Sequence, residues 1–243
     1  MKLNIVDMYS DILNVYGDIG NLLALKQRCN WRGIDTNITK FSKDTDIKLD
    51  IENTDIILIG GGSDQGQSIV SQHLLNQRNK LQEFIDNNGV ILTICGSYQM
   101  FGNLYLDADK NKIPCLEILD IETKSDKNRL ISNIVLENNI GLEPTTIVGF
   151  ENHGGHTYHD YKTLGEVIVG FGNNGESGSE GLVYKNFIGT YLHGPLLPKN
   201  PHITDKLILE ALKRKYDIDF LEKLDDTVEL KAHEQMVNRL LKK

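Results

Sequence analysis

The feature that most constrains this chain is a pair of short apolar runs that each end in glycine. Asp55-Ile56-Ile57-Leu58-Ile59 passes straight into Gly60-Gly61-Gly62, and Val90-Ile91-Leu92-Thr93-Ile94 into Cys95-Gly96. A short run that is apolar at nearly every position and rich in β-branched residues reads as a strand covered on both faces, as in a parallel sheet flanked by helices. The spacing elsewhere agrees. Lys2 to Met8 reads as a first strand; Leu22, Leu25 and Cys29 then recur at helical spacing up to Gly33, and Ile34 to Phe41 alternates again. Asp64 to Asp86 is helical in pattern and stops at Asn87-Asn88-Gly89. The alternation predicts an α/β fold, a mostly parallel doubly wound sheet whose chemistry sits at the carboxyl ends of its strands.

Beyond residue 115 the pattern becomes β-rich. Leu116 to Thr123, Leu130 to Leu136, Thr146 to Phe150, Leu164 to Phe171 and Gly181 to Leu192 read as strands joined by turn-rich segments. Phe171 to Gly181, FGNNGESGSEG, reads as a mobile hairpin loop, and no helix follows its glycines to make them a phosphate loop. Two amphipathic helices, about Thr204 to Tyr216 and Thr227 to Leu241, close the chain. With 243 residues and 40% apolar content, one core and a single domain spanning 1–243 are expected.

A net charge of −8, with no dominant Lys/Arg cluster, argues against non-specific binding of a polyanion. Cys29, Cys95 and Cys115 are odd in number and show no CxxC spacing, so neither a disulfide framework nor a zinc site is indicated. Asp7 and Asp11 interrupt the N-terminal apolar residues before they could form a signal peptide or membrane span. A cytoplasmic protein is the expectation.

Cys95 is the chemically telling residue. Between a buried strand and a following helix, a thiolate would be stabilised by the helix N-terminus, and the sharp turn would lift the side chain out of the sheet. The alternative is a small core cysteine. A nucleophilic thiol needs a proton carrier, and His193, ending the run Ile188-Gly189-Thr190-Tyr191-Leu192, is the best of seven histidines. If its strand lies near Val90 to Ile94, both groups emerge at one edge. Gly61 and Gly62, with the N–H of Gly96, could form an oxyanion hole, since no Cβ would obstruct the approach; a plain tight turn is the alternative. His153, His156 and His159 suggest a metal, but Gly154-Gly155 would break a helix aligning them and no acidic or thiol ligand pattern accompanies them, so no metal is expected.

Together these motifs resemble the class I (triad-type) glutamine amidotransferases, whose nucleophile sits in a C-G-x-x-Q context, here Cys95-Gly96-Ser97-Tyr98-Gln99. VYGDIGN, LIGGGSDQ, TICGSYQ, VGFENHGGHTYHD and GTYLHGPLLPKNP are similar to the cobyric-acid-synthase-like branch, and within it to the glutaminase subunits of lipid II isoglutaminyl synthases. The resemblance implies a single flavodoxin-like domain in which Cys95 attacks the side-chain amide of L-glutamine and His193 moves the proton. It implies that Arg129 holds the α-carboxylate, a role suited to a guanidinium fork, and that Gln99 lines the same pocket. Asp18 and Asn21 match family positions to which chemistry alone assigns no role. It further implies a MurT-like partner of the Mur ligase family that carries ATP and Mg and reaches lipid II at the inner face of the membrane. No G-x-x-x-x-G-K-[ST] loop occurs in this chain.

Two departures stand out. Commoner amidotransferases place an acid two residues after the histidine, whereas Gly194-Pro195 follow His193. Glu151, Asp64 or a carboxylate of the partner subunit could orient the imidazole, and the partner is favoured. Thr93 and Ser97 also stand where many relatives have glycine. The rival readings are a stand-alone cysteine hydrolase or peptidase on the same scaffold, and a non-catalytic regulatory subunit.

Overall fold

The computed structural model describes residues 1–242, with all their side chains except that of Asp64. In chain order, β1 (Lys2–Met8) leads through one 3-10 turn, Val15–Gly17, into α1 (Ile19–Trp31), β2 (Asp35–Phe41) and β3 (Ile56–Ile59). The long helical stretch that follows is two helices, α2 (Asp64–Leu75) and α3 (Arg78–Asp86), because the chain tightens at Gln77, whose N–H bonds back to Leu74. Next come β4 (Val90–Ile94), the short α4 (Gly96–Met100), β5 (Leu104–Leu106), β6 (Lys112–Ile113), β7 (Glu122–Asn138) and β8 (Thr146–Tyr158). β9 (Gly165–Val169), β10 (Ser179–Glu180), β11 (Leu182–Tyr184) and β12 (Phe187–Thr190) complete the strands, and α5 (Leu196–Lys199), α6 (Pro201–Tyr216) and α7 (Thr227–Leu241) end the chain.

Two sheets divide these strands. The first runs β11-β12-β4-β3-β1-β2 and is parallel except for the β11–β12 hairpin. β3 and β4, buried at every position, occupy its middle, as their unbroken apolar runs require. The second sheet, β10-β9-β7-β5-β6, is mostly antiparallel, with the long β8 paired to β7.

The β-rich half departs from the sequence expectation in three places. Leu116 to Ile121 buries Leu116, Leu119 and Ile121 but is irregular: Leu116 and Leu119 direct their N–H groups to Met100 and Phe101, and the strand begins only at Glu122. β8 continues past Phe150 through Gly154-Gly155 to Tyr158, because pairing with β7 resumes after a register shift, with Gly155 opposite Ser125. The 171–181 segment is no loose tip: buried Glu151 accepts the N–H groups of Phe171 and Gly172, and Asn173 and Asn174 are buried.

The first closing helix begins at Pro201 rather than Thr204, since proline at the first helical position loses no intrahelical bond. Arg28 of α1 pairs at 2.6 Å with both Asp205 of α6 and Asp226 just before α7.

Candidate active site

The strand order assembles the site. β12 lies beside β4, Thr190 against Ile94, and the Cys95 N–H bonds the Thr190 carbonyl at 2.8 Å. β3 flanks β4 on the other side and β1 flanks β3, so the segments after all four strands meet at one carboxyl edge. Cys95 sits at the strand-to-helix turn with φ 55° and ψ −113°, a left-handed backbone that a non-glycine residue occupies only under strain. That is the expected elbow. Buried Ser97 fixes it: its hydroxyl accepts the Ile94 N–H at 2.9 Å and reaches the Ile59 carbonyl at 2.9 Å, so a serine here ties β4 to β3. Thr93 is likewise accommodated, fully buried with its hydroxyl 3.4 Å from the Ile188 carbonyl.

His193 is held by its backbone as well as its ring. Its N–H donates to Phe150 at 2.7 Å and its carbonyl accepts from Phe150 at 3.2 Å, bridging the edge to β8. The imidazole Nδ1 lies 3.1 and 3.3 Å from the two oxygens of Asp18, and the Cys95 sulfur is its other partner. Both Asp18 and His193 are buried. Burial alone would favour the neutral ring; the hydrogen bonds and charges of Asp18 and Cys95 outweigh it and raise the histidine pKa to about 10.

Within this chain the carboxylate beside the His193 ring is Asp18, which the sequence reading did not put forward for that place. Glu151 does not serve, being committed to the N–H groups of Phe171 and Gly172, with His153 its neighbouring imidazole at 3.8 Å. The Asp64 side chain lies outside the described residues. Asp18 was visible in VYGDIGN, but its partner is 175 residues away, a pairing no local pattern reveals. Asn21 acts structurally, its side-chain oxygen accepting the Leu197 N–H at 2.9 Å.

Gly61 sits among Cys95, His193 and Asp18. A Cβ there would lie 2.5 Å from His193 Cε1 and 3.2 Å from both Asp18 Oδ2 and the Cys95 Cβ. Its N–H donates to Asp18 Oδ2 at 2.8 Å, which corrects the expectation that it faces an oxyanion. A Cβ on Gly96 would fall 2.0 Å from Gln67 Nε2, so any larger residue there would displace that side chain. Sequence reading missed Gln67. Its amide nitrogen donates to the Gly62 carbonyl at 3.0 Å, bracing the glycine loop against the elbow, and its buried Oε1 has no partner among the described residues.

Gln99 and Arg129 do not share one pocket. Along β8 the residues 151, 153, 155 and 157 face the core, and 150, 152 and 154 face outward. Gln99 meets the inner face: its Nε2 donates to the buried Tyr191 hydroxyl at 2.9 Å and lies 2.0 Å from where a Cβ on Gly155 would sit. Arg129 lies on the outer face, exposed, with Nε 2.7 Å from Asn152 Oδ1 and Nη2 2.7 Å from the Asn152 carbonyl. No carboxylate among the described residues pairs with it. The three histidines of β8 and its edge have separate partners: His153 stacks on Tyr191 at 3.6 Å, His156 bonds the Asn174 carbonyl, and His159 faces the Asn173 amide.

A thiol, an imidazolium and a buried carboxylate in series, at the edge of a parallel sheet, form a nucleophile–base–orienter set suited to acyl transfer. Residues 4–201 match the CobB/CobQ-like glutamine amidotransferase domain family. This chain is a CobB/CobQ-like glutamine amidotransferase. Among similar proteins, the lipid II isoglutaminyl synthase (glutamine-hydrolyzing) subunit GatD of Staphylococcus aureus is 45% identical, covering 98% of this chain and 96% of its own. The subunit of the same name from Streptococcus pneumoniae is 36% identical over 98% of this chain and 88% of its own. Among solved structures, a glutamine amidotransferase from Thermotoga maritima shares the fold, with TM-score 0.54 at 14% identity over 99% of both chains. In this family member, as among its amidotransferase neighbours, helices flank a mostly parallel sheet. No helix among the described residues is long and apolar enough to cross a membrane.

Proposed function

We propose that this chain is the glutaminase subunit of a lipid II isoglutaminyl synthase. The observation that carries the chemistry is the Cys95–His193–Asp18 arrangement, and the near full-length similarity to two GatD subunits supports the acceptor. The Cys95 thiolate attacks the side-chain carbonyl carbon of L-glutamine. As the C–N bond breaks, the His193 imidazolium gives its proton to the nitrogen, which leaves as ammonia, and a glutamyl thioester remains. The neutral imidazole then takes a proton from water; the hydroxide adds to the thioester, the C–S bond breaks, and glutamate departs with the thiolate restored. Asp18 keeps His193 in the tautomer and orientation this shuttle needs. The N–H groups of Gly62 and Gly96 face the oxyanion, Gly61 being engaged with Asp18. Arg129 holds the α-carboxylate, and its lack of an acidic partner suits that role.

The ammonia is consumed by a MurT-like subunit of the Mur ligase family, which binds ATP and Mg and amidates the D-glutamate α-carboxylate of lipid II to D-isoglutamine. The lipid-linked acceptor is held by that partner at the inner face of the membrane. A peptidase would have no use for an arginine held without an acidic partner to receive a free α-carboxylate, and a regulatory subunit would have no use for an assembled triad.

The test is glutamate release from L-glutamine by the purified chain, alone and with its Mur-like partner. Cys95→Ala and His193→Ala should each lower the rate by about 10³-fold or more. Equal rates in these variants and the wild type would defeat the reading.

A further inference from the structure

Tyr16 is the unusual residue of the loop that carries Asp18. Its backbone is left-handed, φ 58° and ψ 21°, in the 3-10 turn after β1, and no glycine relieves that strain. In this conformation the ring lies edge-on to His193 with centroids 5.1 Å apart, and edge-on to Phe150 at 5.2 Å. The phenol oxygen is bonded by the side-chain amide of Asn152, whose Oδ1 accepts from Arg129 Nε while the Asn152 backbone carbonyl accepts from Nη2. Phe150, Asn152 and Gly154 share the outward face of β8, so one strand face meets Tyr16 through Phe150 and Asn152, and Arg129 through Asn152. Gly154 completes the fit: a Cβ there would lie 2.9 Å from the Asp126 carbonyl and 3.8 Å from Arg129 Nη1.

Nothing in the catalytic cycle described above calls for Asn152. We propose that it is a positioning residue for substrate recognition, joining Arg129 and Tyr16 into one rim over His193 that presents a preset guanidinium to the α-carboxylate of the amino-acid substrate. An exposed arginine left to itself samples many rotamers, and ordering it on binding costs affinity; Asn152 fixes the fork in advance and leaves Nη1 and part of Nη2 for the ligand. The bond to Tyr16 links that fork to the cover over His193, so carboxylate binding and shielding of the triad act as one unit. This inference rests on the glutaminase reading and adds the residue that sets its substrate selectivity.

The test uses the full chain in two settings. In complex with its partner, Asn152→Ala should raise KM for L-glutamine about 10-fold with kcat within about twofold, and Tyr16→Phe, which keeps the ring, should raise KM about threefold. In an Arg129→Ala background, Asn152→Ala should add less than about twofold. Calorimetric titration of the Cys95→Ala chain provides a readout without turnover: Asn152→Ala should weaken L-glutamine about 10-fold and leave L-glutaminamide, which lacks the carboxylate, unchanged. A merely structural role would weaken both ligands alike, and that result, full additivity with Arg129→Ala, or a Cys95→Ala chain that binds no glutamine would each overturn the proposal. Selective binding without any wild-type turnover would sink the glutaminase reading and leave the rim standing. Turnover indifferent to Asn152 would sink the rim alone.

Discussion

In the parallel sheet the groups proposed to carry the chemistry hang from segments just beyond strand ends, Cys95 after β4 and His193 after β12, with Gly61 after β3 and Asp18 on the loop from β1. In the second sheet the corresponding residues lie within a strand: Phe150, which bridges the His193 backbone, and Asn152, which holds Arg129, are interior positions of β8. The first region fixes reacting atoms through backbone turns. The second presents side chains whose direction is set by strand alternation, and in the proposed reaction it is these that meet the substrate. Changes at the parallel edge should therefore strike the chemical step, and changes on β8 should strike recognition, as the Asn152 variants are designed to show.

The sharpest break of that comparison is Asp18→Asn, which preserves shape and removes the charge that holds His193 protonated. The rate of glutamate release should fall by about 10²–10⁴-fold, in line with loss of an orienting acid elsewhere. The pH dependence should move as well. With Asp18 present the imidazolium persists to about pH 10; without it, burial drives the ring toward neutrality and the alkaline limb of kcat/KM should shift to lower pH. The same raised pKa means that the stability contributed by the Asp18–His193 pair is fully present below about pH 6.5 and is lost as pH rises toward about 10. A variant with wild-type rate and profile would return the orienting role to a partner subunit.

How legible each region was follows from the same contrast. β3 and β4 announced themselves because burial on both faces demands apolar residues at nearly every position, and the elbow cysteine followed directly from where β4 had to end. β8 was hidden beyond Phe150, where Gly154-Gly155 and the histidines interrupt the apolar alternation, yet each has a local reason: Gly155 makes room for Gln99, and His153 stacks on Tyr191. Assigning Gln99 and Arg129 to one pocket failed because opposite faces of a strand can be told apart only once the strand is known. Asp18 and Gln67 act through partners distant in sequence or on another loop, and a motif marks their positions without stating what they touch.

A second, smaller effect would sharpen the boundary between the two regions. Glu180, at the end of β10, is fully buried, accepts the Thr190 hydroxyl at 2.6 Å and the Tyr191 N–H at 2.8 Å, and so holds the chain that leads to His193. Burial pushes its pKa up from 4.5 to about 7, more than its hydrogen bonds lower it. The folded state then binds more protons than the unfolded state between those values, so this group lowers stability as pH rises from about 4.5 to about 7. Glu180→Gln keeps an accepting oxygen and removes the charge. It should stabilise the chain at pH 8 relative to pH 5, by up to the order of 3 kcal/mol in denaturant unfolding. An equal effect at both pH values would show that burial does not raise the Glu180 pKa above its unfolded value.

The smallest change is at the junction of β3 and β4. Ser97→Ala removes a hydroxyl that accepts the Ile94 N–H and reaches the Ile59 carbonyl in a site with no exposure to water, so a buried donor is left without its partner. Such a loss costs about 1–3 kcal/mol, and the urea midpoint should fall with an unchanged slope. The elbow is also held by the Cys95 N–H on Thr190 and by the β4 ladder on both sides, so KM for glutamine should stay near the wild-type value and kcat should drop less than about 10-fold. A rise in KM matching that of Asn152→Ala would mean that the elbow and the β8 rim move together, and the division of labour between the two sheets would have to be abandoned.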